Sequence, residues 1–408
     1  VYKRQPPPGS QEHACIAEGY ADYLRIREKL NLPLLECGAL VLAWNEQEGE
    51  RLDAIKKDAL RNGVNTVRPL TRQRVLEREP GIADGVVAAL EVPGEFVIDP
   101  WSAPYAYLVQ ALQNGARLER HCELQGGDFD GASWQLDTTR GRIRGHRVIN
   151  CAGLYGDRID RLLLGEATFE IRPRKGQFVV FDKSAGKLTQ RILLPVPSST
   201  TKGIVVCPTI FGNLLVGPTA EEQQSRDQAG VDRDTLQRLV ERGCSILPAL
   251  ARHSVTATYA GIRPATEHKD YQVRWHHERH YCSVGGIRST GLSAALGIAA
   301  MVFRQYGEAG IAHFPLDAPR WPRVPAIAET GRRDWQEAGH GGIVCHCERV
   351  TRREIEQALR GPVAPGSLAE RTRRTRVTMG RCQGVYCAAE LSEMTAGKLH
   401  PPLGEALE

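Results

Sequence analysis

Apolar residues return at helical spacing along residues 16–30, and the run Cys-Gly-Ala-Leu-Val-Leu-Ala-Trp over 37–44 then reads as a strand. The two periods keep alternating. Helices are predicted over 48–61, 100–113, 157–164 and 235–247, and strands over 86–92, 147–151, 177–181, 203–207 and 214–217. Such interleaving predicts an α/β class with α+β character in part of the chain. The longest nearly unbroken apolar stretch, 291–303, is shorter than the roughly 18–20 residues a bilayer span needs. Between 313 and 333 the pattern gives way to proline and charge with no steady period, which predicts a linker over 313–340. It separates a body, 1–312, from a compact block, 341–400, with helices predicted over 352–360 and 367–374.

Composition narrows the classes. With 41% apolar and 25% charged residues, the 408-residue chain can bury an ordinary core and is not a disordered tail. The excess of 53 basic over 48 acidic residues, +5, gives no general reason to expect nucleic acid. The start, Val-Tyr-Lys-Arg-Gln-Pro-Pro-Pro, lacks the apolar core of a signal peptide, and eleven cysteines is an odd number in a long chain. A reducing cytoplasmic setting is expected. Cys15, Cys37, Cys122, Cys151, Cys207, Cys244 and Cys282 are scattered singly and read as packing residues.

The remaining four cysteines are grouped. One residue separates Cys345 from Cys347, and four separate Cys382 from Cys387. Four thiolates suit an iron-sulfur cluster or zinc. Structural zinc sites favour two to four residues between paired cysteines, so the single-residue gap leans toward iron while leaving zinc or unrelated thiols open. A thiolate-bound cluster is negative and is tuned by nearby cations. Arg349, Arg371, Arg373, Arg374, Arg376 and Arg381 supply them, or form a solvated face or a docking surface for an acidic partner. The segments Ile-Val-Cys-His-Cys-Glu-Arg-Val-Thr from Ile343 and Met-Gly-Arg-Cys-Gln-Gly-Val-Tyr-Cys from Met379 resemble the bacterioferritin-associated-ferredoxin-like 2Fe-2S domain found on certain flavin dehydrogenases. That resemblance implies Cys345, Cys347, Cys382 and Cys387 as the cluster ligands.

In the body, the predicted strand 147–151 ends in Ala152-Gly153, a small-residue turn of the kind that leaves room for a cofactor at the carboxyl end of an α/β strand, or simply a routine junction. Gly285-Gly-Ile-Arg-Ser-Thr-Gly-Leu opens an apolar helix whose free N–H groups suit an anion, or whose cap is Ser289 or Thr290. Arg263, in Tyr-Ala-Gly-Ile-Arg-Pro, is expected at the end of a strand, where a guanidinium grips a carboxylate or phosphate or makes an ordinary ion pair. Together with Val148-Ile-Asn-Cys-Ala-Gly-Leu-Tyr, Arg172-Pro-Arg-Lys-Gly-Gln, Gly203-Ile-Val-Val-Cys-Pro-Thr and Gly212-Asn-Leu-Leu-Val-Gly-Pro-Thr-Ala, these stretches resemble the D-amino-acid-oxidase-like FAD superfamily, on the side of the anaerobic glycerol-3-phosphate dehydrogenase large subunits and the L-2-hydroxyglutarate dehydrogenases.

The resemblance implies an FAD-binding domain with a mixed-sheet substrate domain drawn from about 36–110 and 168–275. It places Ala152 and Gly153 along the dinucleotide, and Gly286, Arg288, Ser289, Thr290, Gly291 and Leu292 near the flavin ring. Arg263 falls where the superfamily holds the substrate anion, and Lys175 and His268 lie in or near matched segments as further catalytic candidates. One feature departs from the family. The G-x-G-x-x-G turn that cradles the FAD pyrophosphate occurs nowhere in the chain, so a truncated record is expected, and the literal polypeptide is expected to bind FAD poorly. The expected function is oxidation of an anionic secondary alcohol, sn-glycerol 3-phosphate first and a 2-hydroxy acid second. Amine or amino-acid substrates come third. Electrons would pass through the cluster to a quinone or a partner subunit at the membrane face. A non-catalytic metal-binding subunit is the alternative of another class.

Overall fold

The computed structural model describes residues 6–197, 203–308, 313–400 and 402. The opening Val1–Gln5 stretch and the expected boundary at 312 lie outside the described residues. Among the described residues no helix is long and apolar enough to cross a membrane.

The first helix, Gln11–Leu30, begins five residues before the apolar pattern does, because Ser10 caps it by accepting the His13 N–H. It ends at Asn31 in the left-handed region. It packs along the helix Gly291–Glu308, where Gly19 faces the Ser293 carbonyl and Gly297 faces the Cys15 carbonyl. A Cβ at either glycine would overlap that oxygen, so the two backbones touch only because both positions lack a side chain. These helices cover a three-stranded sheet, Gln272–His276, Tyr281–Gly285 and Val148–Asn150, whose last pair is parallel. Asp160, fully buried on the helix Gly156–Leu164, accepts from Asn150 at 2.7 Å, Tyr281 at 2.7 Å and Ser283 at 2.8 Å, fixing that helix to the sheet.

The second layer is a nine-stranded mixed sheet whose strands come from two separated stretches of chain. The strand Ile171–Phe181 pairs antiparallel with Val255–Thr266 at one edge and with Leu214–Gly217 on the other side. Val205–Pro208, Ile192–Pro195, Ala39–Ala43, Ala88–Val92 and Arg68–Thr71 follow in order, with a parallel pairing between Ile192–Pro195 and Ala39–Ala43. All five residues of Ala39–Ala43 are buried, since both faces are covered. Leu239 and Ile246 of the helix Arg233–Ile246 join the core on one face, and Leu52 and Ala59 of Glu46–Arg61 join it on the other.

Three features depart from the sequence reading. The strand expected over 177–181 starts at Ile171, and Arg263 lies inside a strand rather than at its end, because Ala265 and Thr266 continue the pairing opposite Arg172 and Ile171. That strand is paired on one side only, where sheets tolerate a proline such as Pro264. The antiparallel sheet Leu124–Phe129, Trp134–Thr138 and Gly141–Gly145 was not anticipated; its Gly-Arg-Ile-Arg-Gly strand has almost no apolar signal. The proline-rich stretch expected to be a linker is packed, with Val324, Ile327 and Ala328 buried against the body.

The C-terminal block holds the hairpin Ile343–Cys345 with Val350–Thr351 and the helices Arg352–Arg360, Leu368–Thr375 and Ala388–Thr395. Thr351 and Glu354 form a reciprocal capping box at the first of these helices.

Candidate functional site

Side chains directly opposite in an antiparallel pair share a face. In the register of Ile171–Phe181 with Val255–Thr266, Arg174 stands opposite Arg263, Gly176 opposite Gly261 and Phe178 opposite Tyr259. Phe178 and Tyr259 stack with centroids 4.8 Å apart. Gly176 provides the space in which the Arg263 guanidinium lies; a Cβ there would overlap it. Among the described residues that guanidinium reaches only carbonyls, those of Lys175 and Thr219, each at 3.4 Å. It makes no ion pair among the described residues. Burial, then Arg174, holds it below the usual arginine range, the expected response of a desolvated cation beside a like charge. A half-buried guanidinium with no carboxylate has room for a ligand anion.

Farther across the same face lies a cavity of about 780 Å³. Ile192, Leu194, Val205 and Cys207 form its sheet wall, Ile16, Gly19 and Tyr20 its helical wall, and Ser289, Leu292 and Ser293 bring the first turn of Gly291–Glu308 to its rim. Arg288, Ser289, Thr290 and Leu292 thus converge at one helix start. Thr290 is buried there, bonded to Tyr271 at 2.6 Å and Glu12 at 2.8 Å. Arg288 is turned to the Lys269 carbonyl, with Glu12 at 3.8 Å. Gly286 has φ 71°, which lets the chain turn from strand to helix. Ala152 and Gly153 form an open turn after Val148–Asn150, and Gly153 has φ 56° and no neighbour where a side chain would stand. Cys151 beside them is exposed, unlike Cys15, Cys37 and Cys282, which pack as expected.

The other two catalytic candidates do not join Arg263. Lys175 points to the opposite face and pairs with Glu221 at 3.1 Å. His268 is exposed beyond the strand end, 3.1 Å from Glu267. Arg174, Gly176, Phe178 and Tyr259 were not singled out from the sequence, although counting every second residue from 174 to 178 would have placed the first three beside one another.

In the block, the four grouped thiols come together in pairs, Cys347 with Cys382 and Cys345 with Cys387. No three His, Cys, Asp or Glu side chains among the described residues surround a single-ion centre; a pairwise set is instead the donor pattern for two irons sharing four thiolates. Gly380 makes the approach feasible, since a Cβ there would overlap that of Cys347. Gln383 and Gly384 take φ 50° and 92°, turning the loop around Cys382. The Tyr386 N–H, then those of Gly384 and Val385, hold the Cys382 thiol below its ordinary range, while burial and then Cys345 push Cys387 up to about 11. Backbone donors and a buried, unpartnered Arg371 guanidinium fit a negative cluster.

Most of the other arginines of the block have partners. Arg349 pairs with Glu329, Arg376 with Glu348 at 2.8 Å, and Arg381 with Asp182 at 2.5 Å; Arg374 bonds the Val363 carbonyl at 2.8 Å over the Tyr105 ring. Arg373 is exposed. The Arg381 pair and a bond from Gln383 to the Thr256 carbonyl at 2.9 Å seat the cysteine loop at the Phe181 end of the large sheet. Arg174 lies seven residues back along that strand, about 23 Å at the usual rise.

Comparison with known proteins agrees with this anatomy. Residues 2–305 match the family model for FAD dependent oxidoreductases, and residues 343–396 match the BFD-like [2Fe-2S] binding domain. The chain is 29% identical over 400 residues to a glycerol 3-phosphate dehydrogenase of Caloramator mitchellensis, covering 96% of this chain and 83% of the relative. It is 28% identical over 286 residues to a glycerol 3-phosphate oxidase of Mycoplasma pneumoniae, covering 68% and 74%. The FAD-bound L-alpha-glycerophosphate oxidase structure from that organism shares the fold with a TM-score of 0.74 at 24% identity, over 80% of this chain and 87% of the other. The chain belongs to the FAD-dependent oxidoreductase family and carries, after that body, a BFD-like [2Fe-2S] binding domain.

Proposed function

We propose that the protein is a dehydrogenase that oxidises sn-glycerol 3-phosphate to dihydroxyacetone phosphate and passes the electrons through its cluster to a quinone or a partner subunit. The observation that carries the reading is Arg263: half-buried, free of any carboxylate among the described residues, and set on the sheet face that leads to the large cavity. A phosphate dianion offers the paired oxygens that a guanidinium fork matches. Arg174, opposite in register, adds a second positive charge. Fixing the anion orients the neighbouring carbinol carbon, and the Phe178–Tyr259 stack stands on the same face of the sheet.

The helix start at Ser289–Leu292 brings its positive dipole end to the rim of the cavity, where negative charge develops. Bound FAD supplies the two-electron acceptor for the hydride, and the cluster supplies a one-electron exit. In this reading Ala152 and Gly153 run beside the dinucleotide, and Cys345, Cys347, Cys382 and Cys387 hold the irons. The relatives named for glycerol 3-phosphate support the substrate.

The test is turnover of the FAD-loaded protein with a dye acceptor, comparing sn-glycerol 3-phosphate with L-2-hydroxyglutarate. A large kcat/KM preference for the phosphate upholds the reading. A preference for the 2-hydroxy acid transfers the same clamp to a carboxylate, and inactivity toward both rejects it.

A further inference from the structure

We infer that Arg371 is the buried counter-charge of the [2Fe-2S] cluster and sets its reduction potential. The inference rests on the four cysteines holding that cluster. Arg371 lies on the helix Leu368–Thr375 with its side chain fully buried, and its Nε, Nη1 and Nη2 all lack a hydrogen-bond partner among the described residues. A guanidinium taken out of water needs compensating negative charge.

The block shows what compensation ordinarily looks like. Arg333, equally buried, reaches Glu329 at 3.2 Å and Glu354 at 3.5 Å, and Arg376 meets Glu348 at 2.8 Å. No carboxylate among the described residues pairs with Arg371. The titratable side chain whose charge acts on it is Cys387, one of the four grouped thiols. The missing negative charge is therefore on the side of the cysteines.

Two ferric ions, two sulfides and four thiolates sum to a double negative charge, and accepting one electron makes it triple. A fixed cation nearby favours the more negative state and raises the potential. The remaining arginines are poorly suited to this task. Arg349, Arg376 and Arg381 are paired with Glu329, Glu348 and Asp182, Arg374 is turned to the Val363 carbonyl over the Tyr105 ring, and Arg373 is exposed, where water and salt screen it.

The experiment is a potentiometric titration of the purified holoprotein, following the reduced cluster by EPR and the flavin by its absorbance. Arg371→Met is expected to shift the cluster's reduced-to-oxidised ratio tenfold toward oxidised at a given potential, about 59 mV for a one-electron couple. Arg371→Lys should stay near the wild type, and the flavin couple should not move in either. Full iron and sulfide content in Arg371→Met with an unmoved cluster potential would overturn the inference. If Arg371→Met retains no cluster, Arg371→Lys decides: wild-type iron content upholds the role of charge, and loss there too rejects it. Absence of iron and sulfide from the wild type would instead refute the cluster assignment itself.

Discussion

The flavoprotein body and the cysteine block bury their functional groups in opposite ways. On the large sheet, among the described residues, eighteen buried apolar residues pack on one face and twelve on the other, and Arg174, Phe178, Tyr259 and Arg263 belong to neither cluster. The block's core is seven buried residues, and two of them, Cys345 and Cys387, are grouped thiols. The body can therefore keep its fold whether or not a substrate is bound, whereas the block's core shares two side chains with its proposed metal site. The body also leaves Arg263, unpaired among the described residues, half-exposed to an incoming anion, while the block seals Arg371 against a resident one.

The largest expected effect tests whether the two regions separate at all. Cys382→Ser should remove essentially all iron and sulfide while flavin reduction by substrate continues; elemental analysis and anaerobic flavin bleaching read the two independently. Loss of bleaching in a folded variant would break the division. Next comes the clamp. Arg263→Ala removes hydrogen bonds to a charged group, roughly 1.5–3 kcal/mol. On the kcat/KM scale that is roughly a 10- to 150-fold loss, with Arg263→Lys intermediate and cluster content unchanged. An unaltered kcat/KM would put the substrate anion elsewhere.

A smaller effect is expected from Gly380→Ala, whose methyl would overlap Cys347. Overpacking of this kind costs about 1–3 kcal/mol. Thermal unfolding followed by cluster absorbance should show the block melting earlier while flavin release is unaffected. The smallest concerns the joint between the regions. Arg381, with help from the Ser184 N–H and against burial, holds the Asp182 carboxyl down at about 2, below its ordinary value of 3.8. A depressed carboxyl contributes stability that is present above its unfolded value and lost as pH falls through its folded one. The seat of the block should therefore weaken between about pH 4 and pH 2, and Asp182→Asn should flatten that part of the profile in denaturant titrations. An identical profile in the variant would assign the seat to other contacts.

Much of this was legible in the residues. The one- and four-residue gaps among Cys345, Cys347, Cys382 and Cys387 marked the block, and the interleaved periods marked the α/β body. Most helices fell where the apolar spacing put them. The sheet over 124–145 escaped because four of the five residues in its last strand are exposed. Arg263 and Lys175 looked alike as cations near matched motifs, yet one lies on the face that leads to the cavity and the other pairs with Glu221, a distinction set by strand register.

The sequence by itself determined which chemistry was available: four grouped thiols, a set of arginines around them, and an arginine held between glycine and proline. Only the tertiary structure decided which of those charges remain free. Pairing of Arg349, Arg376 and Arg381 depends on Glu329, Glu348 and Asp182, residues 20 to 199 positions away along the chain. Local periodicity carries no information about such partners, because it is packing, not spacing, that brings a carboxylate within reach of a guanidinium or leaves Arg371 with none.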